Sequence, residues 1–298
     1  MSVPPEIFRL RRSVLSVPAI NRRALEKVHS LDCDAVIFDL EDSVAPEKKD
    51  EARENLRRFF AESPLQGREA IIRINALGSD FGEEDLDLLR DLSPDAVALP
   101  KVDDVSLVEE LEERLAHASP RVRIWAMMET ARGVANAVDI ARAAQGTESR
   151  LDCFVIGLND LRKDTGVCAS PGRTYLVPWM MQVVLAARAY GLDVIDSVFN
   201  DFRNVSVFEA ECEQGRDMGF DGKMLIHPAQ IDAANRAFGP SAEAVEEAQA
   251  IISAFARPEA KDLNVITMDG RMVERLHMVQ AEKLVAQANR IAERGTRA

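Results

Sequence analysis

The chain has 298 residues, and its 50 acidic against 37 basic side chains give a formal net charge of -13, which argues against a general role on nucleic acid or an anionic membrane. Its four cysteines, Cys33, Cys153, Cys168 and Cys212, are scattered without a CxxC pair and read as reduced thiols rather than a disulfide framework. No apolar stretch approaches the roughly 20 residues of a membrane helix, and Arg9, Arg11, Arg12, Arg22 and Arg23 interrupt the amino-terminal segment before a signal-like core develops, so a cytoplasmic address is expected.

Short apolar, β-branched runs then alternate with amphipathic helical stretches. In chain order the runs are SVLSVP at 13–18, AVIFDLED at 35–42, AIIRINA at 70–76 and AVALPKV at 96–102. RIWAMMET follows at 123–130, CFVIGLND at 153–160, DVIDSVF at 193–199 and GKMLIHP at 222–228. Segments such as KKDEARENLRRFF, VSLVEELEERL and GVANAVDIARAA lie between them with helical patterning. Eight strands separated by helices predict an α/β fold, a (β/α)8 TIM barrel over residues 1–240 that forms the catalytic domain. An open doubly wound sheet is the rival, but such sheets carry a glycine-rich first turn, and the first strand here runs into SVPAINRRA. After Pro240, a helix-prone stretch at 241–255 meets a breaker region, ARPEAKDLNVITMDG, and then a last amphipathic segment beginning RMVERLH. Residues 241–298 are therefore expected to form a C-terminal helical extension, a lid or arm surplus to a barrel already closed.

In such barrels chemistry sits where strands end and βα loops begin. The second run ends in Asp39, Glu41 and Asp42, the third carries Arg73 and Asn75, and the fourth ends in Lys101. Glu129 ends the fifth, Asn159 and Asp160 the sixth, and His227 the eighth. Glu129 and Asp160 form an oxygen-only pair suited to Mg²⁺, unless each merely caps the helix that follows it. Arg73 lies in an otherwise apolar run, and its guanidinium needs either a carboxylate such as Asp39 or Glu41 or an anionic ligand. His227 reads as a structural residue or a catalyst by position alone. Trp125, Trp179, Met127, Met128, Met180 and Met181 read as packing.

The runs RSVLSVP, AVIFDLEDSVAPEKKDEAR, RINA, MMET, GLNDL, FNDF and GFDGKMLIHPAQI occur in order along essentially the whole chain. In this combination the sequence resembles the citrate lyase beta-subunit-like CoA-ester lyases of the HpcH/HpaI aldolase superfamily. The resemblance implies Mg²⁺ held by Glu129 and Asp160, with Arg73 binding the substrate carboxylate or carbonyl and stabilising a thioester enolate. It implies substrate contacts at Asn159, Ile226 and His227 and, in the first loop, at Asn21 and Lys27. That loop departs from the family's PGS or PGN, reading Pro18-Ala19-Ile20-Asn21, which adds bulk near the expected CoA phosphates. From the tail, Glu274 of the run GRMVE is expected to supply the general acid, with Asp269 as a second candidate, so that Arg73, Asp39 and Glu274 make up the catalytic set. The implied reaction is Mg²⁺-dependent carbon–carbon cleavage, or condensation, of a 3-hydroxyacyl-CoA such as malyl-CoA or citramalyl-CoA, giving a 2-keto acid and an acyl-CoA in a homo-oligomer, a trimer or hexamer. Alternatives are a malyl-CoA thioesterase, a pyruvate aldolase working without CoA and a non-catalytic regulatory barrel.

Overall fold

A computed structural model describes residues 9–260, 263–268 and 270–295. Among them, eight parallel strands close into one barrel in sequential order. The first half runs β1 (Ser13–Pro18), α1 (Arg22–Lys27), β2 (Ala35–Asp39), α2 (Lys49–Glu62), β3 (Glu69–Arg73), α3 (Gly82–Asp91), β4 (Ala96–Leu99) and α4 (Val105–Arg114). The second half runs β5 (Arg123–Met128), α5 (Ala131–Ala135), α6 (Ala137–Arg142), β6 (Leu151–Ile156), α7 (Leu158–Thr165), α8 (Val177–Ala189), β7 (Asp193–Asp196), α9 (Val205–Met218), β8 (Gly222–Leu225) and α10 (Ile231–Ala237). The (β/α)8 expectation is thereby met, strand for strand.

These runs become strands buried on both faces because they are rich in Val, Ile, Ala and Phe and because side chains alternate with a period of two. Val14, Ala35, Ile37, Ile71, Ala98, Trp125, Met127 and Met224 fill the barrel interior. Their neighbours Leu15, Val36, Phe38, Ile72 and Leu99 pack outward in the layer shared with the helices. Each fully buried Val, Leu, Ile, Phe or Met among them contributes about 1.5–3 kcal/mol of transfer free energy. Continued to the carboxyl ends, the same alternation puts Asp39, Arg73, Glu129 and Ser197 in the next inward layer, two residues beyond Ile37, Ile71, Met127 and Ile195. Register does the rest for one pair, since Asp39 is the Cα partner of Arg73 on adjacent strands.

Several element boundaries differ from the sequence expectation. The run CFVIGLND splits, so that β6 stops at Ile156, Gly157 is the N-cap, and Asn159 and Asp160 lie in the first turn of α7 rather than at a strand end. Ser197 Oγ drives this break by accepting the Leu158 N–H at 3.0 Å, satisfying a donor that the start of a helix leaves open. The single helix expected over GVANAVDIARAA is two, α5 and α6, parted at Asn136, whose side chain donates to the Asp103 carbonyl at 2.9 Å.

The described residues separate into two compact units, Arg11–Phe238 and a second drawn from residues 9–10 and the described residues after 238. Within the second, α11 (Ala242–Phe255) is followed by an antiparallel hairpin, β9 (Val265–Met268) and β10 (Arg271–Glu274), and by α12 (Arg275–Gly295). The expected breaker region is thus half hairpin, and RMVE is strand rather than the start of a helix. The hairpin signal was present in the sequence, because β-branched VIT leads into Asp-Gly, and Gly270 takes the positive φ of 76° that such a connection needs. Inside this unit the Arg275 guanidinium lies over Phe255, 5.4 Å from its ring centre. Among the described residues no helix is long and apolar enough to cross a membrane.

Candidate active site at the barrel mouth

At the carboxyl ends of the strands a cavity of 390 Å³ opens between Asp39, Arg73, Glu129, Asn159 and Asp160, with Met127, Met224 and Ile156 as its apolar wall. Arg73 is buried here and held by two hydrogen bonds to one carboxylate, Nε to Asp39 Oδ1 at 2.7 Å and Nη2 to Oδ2 at 2.6 Å. Asp39 is saturated by this pairing, because the Glu41 N–H also donates to Oδ1 at 2.9 Å and the Ser43 N–H to Oδ2 at 3.1 Å. Burial alone would raise the Asp39 carboxyl, but the hydrogen bonds and charge of Arg73 outweigh it and hold the group below its usual range. Asp39 therefore orients Arg73 and has no oxygen left to exchange protons. The remaining guanidinium nitrogen, Nη1, donates to the Met127 sulfur at 4.0 Å and ion-pairs with Glu41 Oε2 at 3.2 Å and Asp42 Oδ2 at 3.8 Å. That edge faces the cavity with N–H capacity to spare.

Glu129, two residues past Met127, is 1 % exposed. Its Oε1 accepts the Lys101 backbone N–H at 2.9 Å. Burial, then the nearby Glu41 charge, push the Glu129 carboxyl up to about 7, with Asp160 adding to the rise while the Lys101 N–H and Arg73 pull the other way. The alternative that these carboxylates only serve helix starts divides: Glu129 does not cap the helix after it, whereas Asp160 lies in the first turn of α7. Thr130, not Glu129, caps α5, its hydroxyl accepting the Gly133 N–H at 3.0 Å, and Asp160 accepts no hydrogen bond among the described residues. Gly157 is what allows Glu129 its place, since a Cβ there would lie 2.4 Å from Glu129 Oε2 and 2.5 Å from its Cβ.

This constellation suits a small hard cation. It offers only oxygen ligands, a buried carboxylate whose charge is poorly compensated, and a second carboxylate without a hydrogen-bond partner among the described residues. Among the described residues no three His, Cys, Asp or Glu side chains converge on one metal position. A cation bound by two carboxylates keeps sites for water and ligand oxygens, the coordination Mg²⁺ favours.

The other expected site residues divide. Asn159 lines the cavity and forms a two-way amide pair with Asn200, at 2.8 and 3.2 Å, and Ile226 lines it beside them. His227 does not belong to the lining. Its Nδ1 accepts the Ala229 N–H at 3.1 Å and its ring stacks on Phe202 at 4.3 Å. Asn21 is the exposed N-cap of α1, accepting the Ala24 N–H at 3.1 Å, and Lys27 is exposed at the end of that helix; neither lines the cavity. Glu274 is exposed at the end of β10, its N–H donating to His277 Nδ1 at 2.9 Å within the second unit. Asp269 lies outside the described residues. Met127 was assigned to packing but serves the cavity wall as well. Ser197 and Asn200 also line the cavity without having been singled out, although the motif FNDF contains Asn200 and the alternation along β7 points Ser197 inward.

An eight-stranded parallel barrel with a carboxylate pair and a clamped arginine at its mouth defines a class of enzyme, and the comparisons agree. The chain belongs to the HpcH/HpaI aldolase/citrate lyase family, whose model matches residues 12–228. It is 43% identical over 281 residues to a (3S)-malyl-CoA thioesterase of Cereibacter sphaeroides, covering 94% of this chain and 95% of that one. The citrate lyase subunit beta of Escherichia coli is 33% identical over 273 residues, with 89% of each chain covered. Among solved structures, CitE from Mycobacterium tuberculosis, in complex with magnesium, acetoacetate and coenzyme A, superposes with a TM-score of 0.73 at 29% identity over 93% of this chain and 97% of that one. The family expectation drawn from the motifs is thereby met.

Proposed function

We propose that this protein hydrolyses the thioester of a malyl-CoA-type substrate, releasing free CoA and the hydroxy dicarboxylic acid, with Mg²⁺ held by Glu129 and Asp160. The observation that carries the choice of reaction is the 43% identity, along nearly the full length of both chains, to a (3S)-malyl-CoA thioesterase. Carbon–carbon cleavage, which the motifs alone put first, becomes the second reading and is favoured by the 33% identity to a citrate lyase subunit. Both reactions build negative charge on the thioester oxygen, so both need the same fixed donors.

Arg73 is the donor this chain supplies. With Nε and Nη2 committed to Asp39, the guanidinium cannot swing, and Nη1 remains to meet an oxygen that gains charge as the reaction proceeds. Because the donor is already in place, little reorganisation accompanies the charge build-up. The bound metal would supply Lewis-acid polarisation and a template for substrate oxygens. Asn159 and Asn200 present amide donors and acceptors at the cavity edge for the substrate hydroxyl or carboxylate. The wall of Met127, Met224 and Ile156 lowers the local dielectric and strengthens each of these contacts. In the second reading Glu274 is the proposed proton donor to the enolate, and a homo-oligomer the proposed setting.

The test is product analysis of purified protein given Mg²⁺ and malyl-CoA, with free CoA, malate, glyoxylate and acetyl-CoA scored separately. Equal amounts of CoA and malate, lost on chelation, are the expected result. Glyoxylate with acetyl-CoA would move the protein to the second reading, and no turnover of malyl-CoA at all would end both. The same assay checks Gly157. Gly157→Ala drives a methyl into the Glu129 side chain, and a displacement on the order of 1 Å there is expected to lower kcat about a hundredfold with the circular dichroism spectrum unchanged.

A further inference from the structure

Beyond β4 the chain does something costly. Lys101, reached through Pro100, has φ +50°, a left-handed conformation that glycine adopts freely and a lysine does not. Among the described residues only one other non-glycine, Arg173, has a positive φ. Strain of this kind persists where the surroundings use the residue for something.

Two contacts show what Lys101 does. Its backbone N–H donates to Glu129 Oε1 at 2.9 Å, and its ammonium hydrogen-bonds Glu41 Oε1 and lies 4.0 Å from Asp42 Oδ1. Glu41 in turn stands with Oε2 3.2 Å from Arg73 Nη1, without the alignment of a hydrogen bond. One residue therefore touches the buried carboxylate through its backbone and the arginine's carboxylate neighbour through its side chain. A glycine would give the first contact without strain but not the second. An extended lysine would give up the hand that directs the N–H to Glu129.

We infer that Lys101 is a positioning residue, a strained two-armed brace that fixes the Glu129 carboxylate relative to the Glu41–Arg73 pair. The inference rests on the proposed thioester chemistry only for its activity readout. Without the ammonium, Glu41 is free to turn toward Arg73 Nη1 and occupy the donor that the substrate oxygen needs. Turnover then falls even though the fold and the Glu129 contact persist.

The experiment compares Lys101→Gly, Lys101→Ala and Lys101→Arg in the full chain by thermal melting, by calorimetric titration with Mn²⁺ alone and by kcat on malyl-CoA. Lys101→Gly is expected to melt above Lys101→Ala and within about 2 °C of the parent protein, because glycine accepts the left-handed φ. Its Mn²⁺ dissociation constant should stay within about threefold of the parent's, since the N–H to Glu129 remains, while kcat falls at least about tenfold. Lys101→Arg should recover most of that loss by restoring a cation beside Glu41. The brace is overturned if Lys101→Gly turns over like the parent, if it melts no higher than Lys101→Ala, or if it loses Mn²⁺ affinity in step with activity. Parent protein that binds Mn²⁺ but releases no CoA from malyl-CoA would sink the proposed function alone, and the melting order and Mn²⁺ titrations would still decide the brace.

Discussion

Glu129→Gln should lower kcat by about a thousandfold while leaving the fold at least as stable as before. The two effects part because the glutamine has the shape of the glutamate. Its amide oxygen still accepts the Lys101 N–H, and Gly157 still leaves it room. What is removed is an anionic oxygen, buried, with one hydrogen bond and with Glu41 and Asp160 close enough to disfavour its charge. Relief of that burial is expected to add about 1–3 kcal/mol to the stability of metal-free protein. Asp160→Asn should match the loss of turnover without the gain, since Asp160 is only half-buried. Mg²⁺ should raise the melting temperature of the parent protein but not of either variant, because only a protein that holds the ion in its folded state is stabilised by it. Denaturation with and without Mg²⁺, run beside the kinetic assay, checks all three statements. A Glu129→Gln protein that keeps a tenth of the parent's turnover would mean that this carboxylate is not at the chemistry, and one that unfolds more easily would mean that it is a structural residue.

The barrel itself was legible in the sequence, because each strand is a short apolar run buried on both faces and bounded by helical patterning. Position at a strand end was enough to bring Asp39, Arg73 and Glu129 to notice, since alternation carries polarity inward only at the open end of a barrel. What could not be read was who holds whom. Arg73 was open between a carboxylate partner and an anionic ligand; the structure gives it Asp39 on two nitrogens and Glu41 beside the third, and places the residue in the cavity lining, so the two readings are not exclusive. Lys101 was visible as a cation at the end of its run, but its contact with Glu129 is through the backbone and depends on a φ that no side-chain pattern announces. His227 differs in another way: Pro228 starts a helical turn just after it, and the Nδ1 of its imidazole accepts the Ala229 N–H. Asn159 and Asp160 were rightly placed at the mouth but on the wrong element, because the break after Ile156 is set by Ser197, which accepts the Leu158 N–H from 39 residues further along the chain.

Removing Asp39 should cost more stability than any other single change at the mouth. Its carboxylate receives two hydrogen bonds from a buried guanidinium, and Asp39→Ala strands that cation without a partner, at a cost of about 3–5 kcal/mol. For a chain of this length that corresponds to a melting temperature lower by roughly 6–15 °C. The dependence on pH has a definite sign. The folded-state pKa of Asp39 lies below that of an unfolded aspartate, so its contribution is complete above about pH 4 and disappears as the pH falls through the folded value. The stability gap between parent and Asp39→Asn should accordingly be flat from neutral pH to about 5 and close below about 4. Arg73→Met combined with Asp39→Leu removes both charges and should regain most of the lost stability, because a buried pair is expensive to break but not to replace with apolar groups. Turnover should not return with it, since the donor edge at Nη1 is gone; Arg73→Lys alone, which keeps the charge but not the fork, is expected to lose about a hundredfold or more in kcat/KM. Urea melts across pH, paired with kinetics of the double variant, separate the two roles. A double variant that is stable and still active would show that Arg73 serves only to neutralise Asp39, whereas stability regained with activity absent is the outcome expected of an arginine held rigid for the sake of its Nη1 edge.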